Sequence, residues 1–260
     1  MIAQLPGIAA AATDRFTLWV GIARALDARR FAEVGVWRGA FASRLLRDLP
    51  ELESYLLVDP WRPLESWNKP LNVRHEQFEA AMHEALGATA FAGPKVDVLR
   101  GTTAEVADRI PEGSLDVVYV DGDHTLRGIA IDLIRMVRKV RHGGLLGGDD
   151  YVADPWHHGL RYEPTLVCPF ARYFAEAMRL PFFALPFGQF VIVNDPIGFS
   201  FTNLSGEEGR DRVGMPAGAA TAAAHGSRQR FRGFVDGVSR RSRHAWQWIA
   251  LRLKRNAWLH

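Results

Sequence analysis

From Phe31 to Asn194, short apolar runs alternate with stretches whose apolar residues recur at helical spacing. A run of five or six apolar residues suits a strand buried on both faces, and an amphipathic stretch after it suits a crossover helix. The alternation therefore predicts βα units around a largely parallel sheet. Strands are expected at Phe31–Val36, Ser54–Val58, Val96–Arg100, Leu115–Val120, Gly144–Gly147, Phe182–Leu185 and Phe190–Val193, with helices near 39–48, 74–86, 103–109, 126–139 and 170–178. The last two strands, joined by Pro186-Phe187-Gly188-Gln189, read as an antiparallel hairpin on the sheet edge. The expected fold is α/β: a doubly wound, Rossmann-like, mostly parallel sheet of seven strands.

The flanks are patterned differently. Phe16, Trp19, Val20, Ala23 and Leu26 share one face of a helix over 14–30, which makes Trp19 a core residue. Between 196 and 230 the composition shifts to Gly, Ala and Ser, which reads as a linker, and no internal repeat is visible. Residues 231–260 can form a helix with Trp246, Ile249, Leu253 and Ala257 on one stripe and Arg252, Lys254 and Arg255 off it. The domain reading is thus 1–200 for the α/β body, 201–230 for a linker and 231–260 for a basic amphipathic helix. Such helices dock on a body, on another subunit or on an anionic membrane surface.

Charge follows the same division. The net +3 is misleading, because residues 228–260 carry nine Arg or Lys and one acid, Asp236, for +8. The other 227 residues hold 23 basic and 28 acidic side chains, or −5, so the basic balance is no argument that the body binds nucleic acid. A chain of 260 residues with 48% hydrophobic composition can bury one sizeable core. The sole cysteine, Cys168, allows no intramolecular disulfide, and no secretory leader or membrane-spanning run is legible; a cytoplasmic protein, peripheral at most to the inner membrane surface, is expected.

The first strand ends in Glu33-Val34-Gly35-Val36-Trp37-Arg38-Gly39, glycines that suit a tight strand-to-helix turn where backbone approaches a ligand. The same spacing also serves plain helix packing. The second strand closes on Asp59, where nucleotide-binding α/β folds place an acid for ribose hydroxyls. No third close glycine and no phosphate-cradling Gly-Lys-Ser/Thr loop follows, which favours a nucleoside without a pyrophosphate. These residues resemble class I S-adenosylmethionine methyltransferases. The resemblance puts Gly35 and Gly39 under the methionine portion, Glu33 near its amino group, Asp59 on the ribose and Thr103 beside the adenine, with Asp121 also bordering the cofactor. Thr102 and Thr103 serve equally well as a helix N-cap.

The fourth strand runs into Asp121-Gly122-Asp123-His124 and the fifth into Asp149-Asp150-Tyr151. Four carboxylates and an imidazole at two strand ends are costly to gather unless a cation neutralises them, and hard oxygen donors suit Mg²⁺, Mn²⁺ or Ca²⁺. The segment Leu115–Tyr151 resembles bacterial metal-dependent O-methyltransferases of macrolide, aminocoumarin and polysaccharide sugars, and more distantly catechol O-methyltransferase. That resemblance implies Mg²⁺ or Mn²⁺ on Asp121, Asp149 and Asp150, with His124 as the general base or Asp123 in its place. Residues 60–72, with Trp61, Trp67, Asn68 and Pro70, are expected as a lid. Residues 152–167, with Trp156, His157, His158, Arg161 and Tyr162, are expected to line the acceptor side, a mixture that suits a saccharide or an oligomer contact. The alternatives are a phenol or catechol acceptor and a non-catalytic nucleoside-binding module. A nucleic-acid methyltransferase is disfavoured, since the Asn/Asp-Pro-Pro-aromatic signature is missing.

Overall fold

Strand β1 (Arg30–Val34) lies at the middle of the sheet, paired in parallel with β2 (Ser54–Asp59) on one side and β4 (Leu115–Val120) on the other. The computed structural model describes residues 1–65 and 67–206. The chain divides into two units, Met1–Gly214 and Met215–His260, and the described residues belong to the first. The sheet has eight strands in the order β3-β2-β1-β4-β5-β7-β6-β8, with β3 at Val96–Arg100, β5 at Val140–Gly148, β6 at Pro181–Leu185, β7 at Gln189–Val193 and β8 at Ser200–Asn203. Only β7 runs against its neighbours.

Alternation along each strand explains why the runs are apolar throughout. Phe31, Tyr55, Leu57, Val117 and Tyr119 point into one core layer, which also holds Trp19. Ala32, Val34, Val58, Val118 and Val120 point into the other, with Ile129, Leu133 and Phe174. Helices α1 (Leu5–Ala11), α2 (Arg15–Leu26), α3 (Ala40–Asp48) and α4 (His75–Thr89) supply side chains to the first layer. Helices α5 (Thr103–Val106), α6 (Leu126–Met136) and α7 (Val167–Met178) supply them to the second. Both faces are covered, as a parallel sheet requires.

The seven expected strands and the hairpin are present, with two differences. The expected count of seven strands becomes eight, because β8 pairs in parallel with β6 inside the stretch that reads as linker, so the body continues past residue 200 and the hairpin is not the outermost element. Helix α2 stops at Leu26 rather than 30: Asp27 takes a left-handed conformation, φ 52°, and its N–H bonds back to Ala23 O and Arg24 O before β1 begins. The expected basic helix over 231–260, its Trp246 stripe and most of the 201–230 linker lie outside the described residues. The strand order reverses between β1 and β4, and the crevice at such a point, outside the carboxyl ends of the strands, is where doubly wound folds bind ligands.

Candidate active site

That crevice is a cleft of about 690 Å³, part of it open to solvent, lined by residues that include Gly35, Trp37, Asp59, Thr103, Asp121 and Asp123. Gly35 has φ 89°, and a Cβ there would stand 2.2 Å from the Asp121 carbonyl oxygen. Only glycine lets the β1 turn meet the end of β4 this closely. Gly39, φ 74°, faces helix α4 instead, where a Cβ would stand 2.8 Å from the Cα of Ala85. It shapes the turn and packs a helix without lining the cleft.

Asp59 is 7% exposed and holds the turn from below. Its Oδ2 accepts the N–H groups of Val36 and Trp37, both at 2.9 Å, and its Oδ1 that of Trp61 at 2.7 Å. Burial raises its pKa, and the three amides and Arg100 offset part of that rise. Trp37 and Trp61, the residues it orders, both have positive φ, 52° and 40°. Trp61 is fully buried and donates its Nε1 to Trp37 O at 2.8 Å, so it is a pillar of the turn and not part of a mobile lid. Trp67, from the same expected lid, does line the cleft.

Glu33 lies behind the cleft and does not line it. It accepts the Tyr55 hydroxyl at 2.8 Å, and burial pushes its pKa well above the usual carboxylate value. Thr103 is buried and lines the cleft beside Asp132, which the sequence reading missed. Asp132 sits fully buried on α6, where desolvation pushes its pKa up to about 7. Thr102 is the N-cap of α5, and Glu105 Oε2 accepts its N–H at 2.8 Å.

The strand-end acids are arranged around cations that the chain itself supplies. Asp14 caps α2, its Oδ1 accepting the Thr17 N–H at 2.7 Å, and this fixes Arg15 at the helix's first position. One guanidinium nitrogen of Arg15 lies 3.2 Å from Asp121 Oδ2 and also hydrogen-bonds Asp149 Oδ2. Asp149 Oδ1 accepts the Asp150 N–H at 2.8 Å and Gln189 Nε2 at 2.6 Å, and Gln189 Oε1 accepts Trp19 Nε1 at 2.9 Å. The expected core role of Trp19 is therefore met, with a polar handle added.

Asp150, φ 57°, turns the other way, with Oδ2 2.5 Å from His124 Nδ1. The other nitrogen of His124 lies 3.4 Å from Asp121 Oδ1. Burial opposes charge on this imidazole, but the carboxylates of Asp121 and Asp150 win and raise its pKa to about 10, while that of Asp150 falls to about 2. Asp123 differs: it lines the cleft, its Oδ1 accepts the Thr125 N–H at 3.0 Å, and its carboxyl rests over Gly128, where a Cβ would stand 2.1 Å from Asp123 Cγ.

The two loops expected around the acceptor are bonded to each other. Asn68 accepts the Glu163 N–H at 3.0 Å and donates its own N–H to Glu163 Oε2 at 2.9 Å, and Lys69 Nζ donates to Thr165 Oγ1 at 3.0 Å. Leu166 N–H bonds to His124 O at 2.8 Å, which anchors the second loop beside β4.

Residues 32–151 match the family model of a methyltransferase domain. Among solved structures, a proposed caffeoyl-CoA O-methyltransferase from Staphylococcus aureus is 12% identical with a TM-score of 0.52, over 70% of this chain and 84% of that one. A proposed O-methyltransferase from Klebsiella pneumoniae is 19% identical, TM-score 0.51, over 74% and 87%. An O-methyltransferase from Bacillus cereus in complex with SAH is 15% identical, TM-score 0.50, over 74% and 88%. At these identities the likeness is one of fold. A search of curated proteins gives no match. The match spans β1 to the end of β5, so this part of the chain is a methyltransferase domain, with its cleft at the sheet's switch point.

Proposed function

We propose that this enzyme transfers the methyl group of S-adenosylmethionine to a hydroxyl of a small acceptor bearing a saccharide. The observation that carries the reading is the acidic cleft: Asp59, Asp121 and Asp123 border one crevice at the β1 turn, an environment that suits a sulfonium cation and offers a carboxylate to the acceptor. Transfer is an in-line displacement. The acceptor oxygen attacks the methyl carbon, the carbon–sulfur bond breaks with its electron pair going to sulfur, and the hydroxyl proton passes to Asp123. Transfer to oxygen is also what the names of the Staphylococcus, Klebsiella and Bacillus proteins describe. The paired loops that carry Trp67, Asn68, Trp156 and Arg161 suit a sugar's apolar face and its hydroxyls.

The Mg²⁺ or Mn²⁺ expected on Asp121, Asp149 and Asp150 does not fit this arrangement. Arg15 stands between Asp121 and Asp149, and Asp150 turns away from both toward His124, so the three carboxylates do not converge on one ion. The proposed reaction therefore runs through the chain's own groups. We place the enzyme in the cytoplasm, in keeping with a sole cysteine, Cys168, that is buried.

Mass spectrometry of glycans, glycosylated metabolites and phenols incubated with enzyme and S-adenosylmethionine tests the proposal, with one added methylene expected on a sugar hydroxyl. Methylation of phenols alone would replace the saccharide class, and no transfer to any hydroxyl would end the O-methyl reading. Asp123→Asn should lower the rate by about 10²–10⁴, the usual worth of a general base, with cofactor affinity kept. If His124→Ala is crippled instead and Asp123→Asn stays active, the base is the imidazole.

A further inference from the structure

The acceptor-side loop carries a pair of histidines that the methyl-transfer proposal does not use. His157 Nε2 lies 3.5 Å and His158 Nε2 4.0 Å from the same atom, Asp150 Oδ2. Among the described residues, this is the set of three acidic or imidazole donors whose atoms come within 4.8 Å of one another; Asp121, Asp149 and Asp150 do not form such a set. We infer that Asp150, His157 and His158 form a site for a borderline transition-metal ion such as Zn²⁺ or Co²⁺, which clasps the 152–167 loop to the end of β5.

The imidazoles are held as ligands are held. His157 Nδ1 lies 3.1 Å from the carbonyl oxygen of Asp154. A carbonyl can only accept, so Nδ1 carries the proton and Nε2 keeps a free lone pair. His158 Nδ1 lies 3.4 Å from Thr165 Oγ1, which also accepts from Lys69 Nζ at 3.0 Å. A hydroxyl oxygen with two acceptor positions can take both donors, again leaving Nε2 bare. Partners that fix the far nitrogen of each imidazole are the outer shell that metal-ligating histidines normally have. Asp150 Oδ2 itself is buried and receives no hydrogen bond of good geometry, although the His124 ring faces it. Its left-handed backbone is a strain of the kind that collects at functional sites. Two nitrogens and one oxygen select zinc, cobalt or nickel over the hard Mg²⁺, and three protein ligands leave a fourth position open to water or an acceptor oxygen.

The site is independent of the methyl-transfer reading, and its test needs no turnover. Titrate untagged, metal-free, full-length protein with Co²⁺ and follow the visible ligand-field bands, then displace the ion with Zn²⁺. One Co²⁺ per chain is expected, with bands lost in the His157→Ala/His158→Ala double variant and kept in Asp121→Asn. Thr165→Val, which removes an outer-shell partner and no ligand, should weaken binding about 10–100-fold. Bands that survive the double variant, bands lost in Asp121→Asn, or a wild type that binds no Co²⁺ would each overturn the assignment.

Discussion

At the scale of single residues, Arg15 decides how the strand-end acids coexist. Removing it leaves Asp121 and Asp149 facing each other with no counter-charge. Breaking a fully buried pair costs about 3–5 kcal/mol, and because the Arg15 side chain is 33% exposed, Arg15→Ala should cost less, about 1–3 kcal/mol in chemical denaturation. The variant should also gain what the wild type lacks. Millimolar Mg²⁺ should raise the melting temperature of Arg15→Ala, since an ion that binds only the folded state stabilises it, and leave the wild type unmoved. A wild type stabilised by Mg²⁺ through Asp121 and Asp149 would return the ion to the three-carboxylate position. The sequence shows why Arg15 is hard to foresee: it lies 106 residues from Asp121 along the chain, and the helical stripe around Trp19 gives no hint of where the first turn points. Asp59, Asp121 and Asp123 were legible because each lies at or just past the carboxyl end of a strand. Asp132 was not, because a single acid inside an amphipathic helix reads as a solvated face.

At the scale of elements, the strands were legible where apolar runs are long and obscure where packing demands something else. The expected Gly144–Gly147 is the middle of a strand running from Val140 to Gly148. Its glycines hide it, yet they are required: a Cβ at Gly147 would stand 2.2 Å from Phe190 O and one at Gly148 2.0 Å from Val120 O. Strand β8 was missed because four residues at a sheet edge, half exposed, make no apolar run. One acid ties three elements together. Asp116 on β4 accepts the N–H groups of Arg29 and Arg30 at the start of β1, at 2.9 and 2.8 Å, and Arg141 Nε of β5 at 2.6 Å. Burial alone would raise its pKa; Arg141 and the two amides overcome it and hold the acid below its usual value of 3.8. A depressed acid contributes stability that is present above pH 3.8 and lost as pH falls through the folded-state pKa. With Arg141 34% exposed, Asp116→Asn should therefore cost about 1–2 kcal/mol at neutral pH, with the gap to wild type closing below pH 3.8. A gap that stays constant from neutral pH down to acid would mean the carboxylate's charge is not what holds these strands.

At the scale of the whole molecule, the charge division bears on where the enzyme works. No helix among the described residues is long and apolar enough to cross a membrane. The segment 228–260 nevertheless carries +8 while the rest of the chain carries −5, so attraction to an anionic surface would have to act through that segment. Its Trp246, Ile249 and Leu253 would add apolar insertion if they share a face, and basic residues near an anionic leaflet are worth about 1 kcal/mol each, falling off within a Debye length. The full chain should then sediment with vesicles containing phosphatidylserine at low salt and be released as ionic strength rises. A chain ending at Gly214, which keeps the first unit entire, should stay in the supernatant and still bind S-adenosylmethionine with the affinity of the full chain. Equal partitioning of the two chains would rule out a membrane role for the basic segment. Weakened cofactor binding in the shorter chain would show instead that the segment supports the catalytic unit.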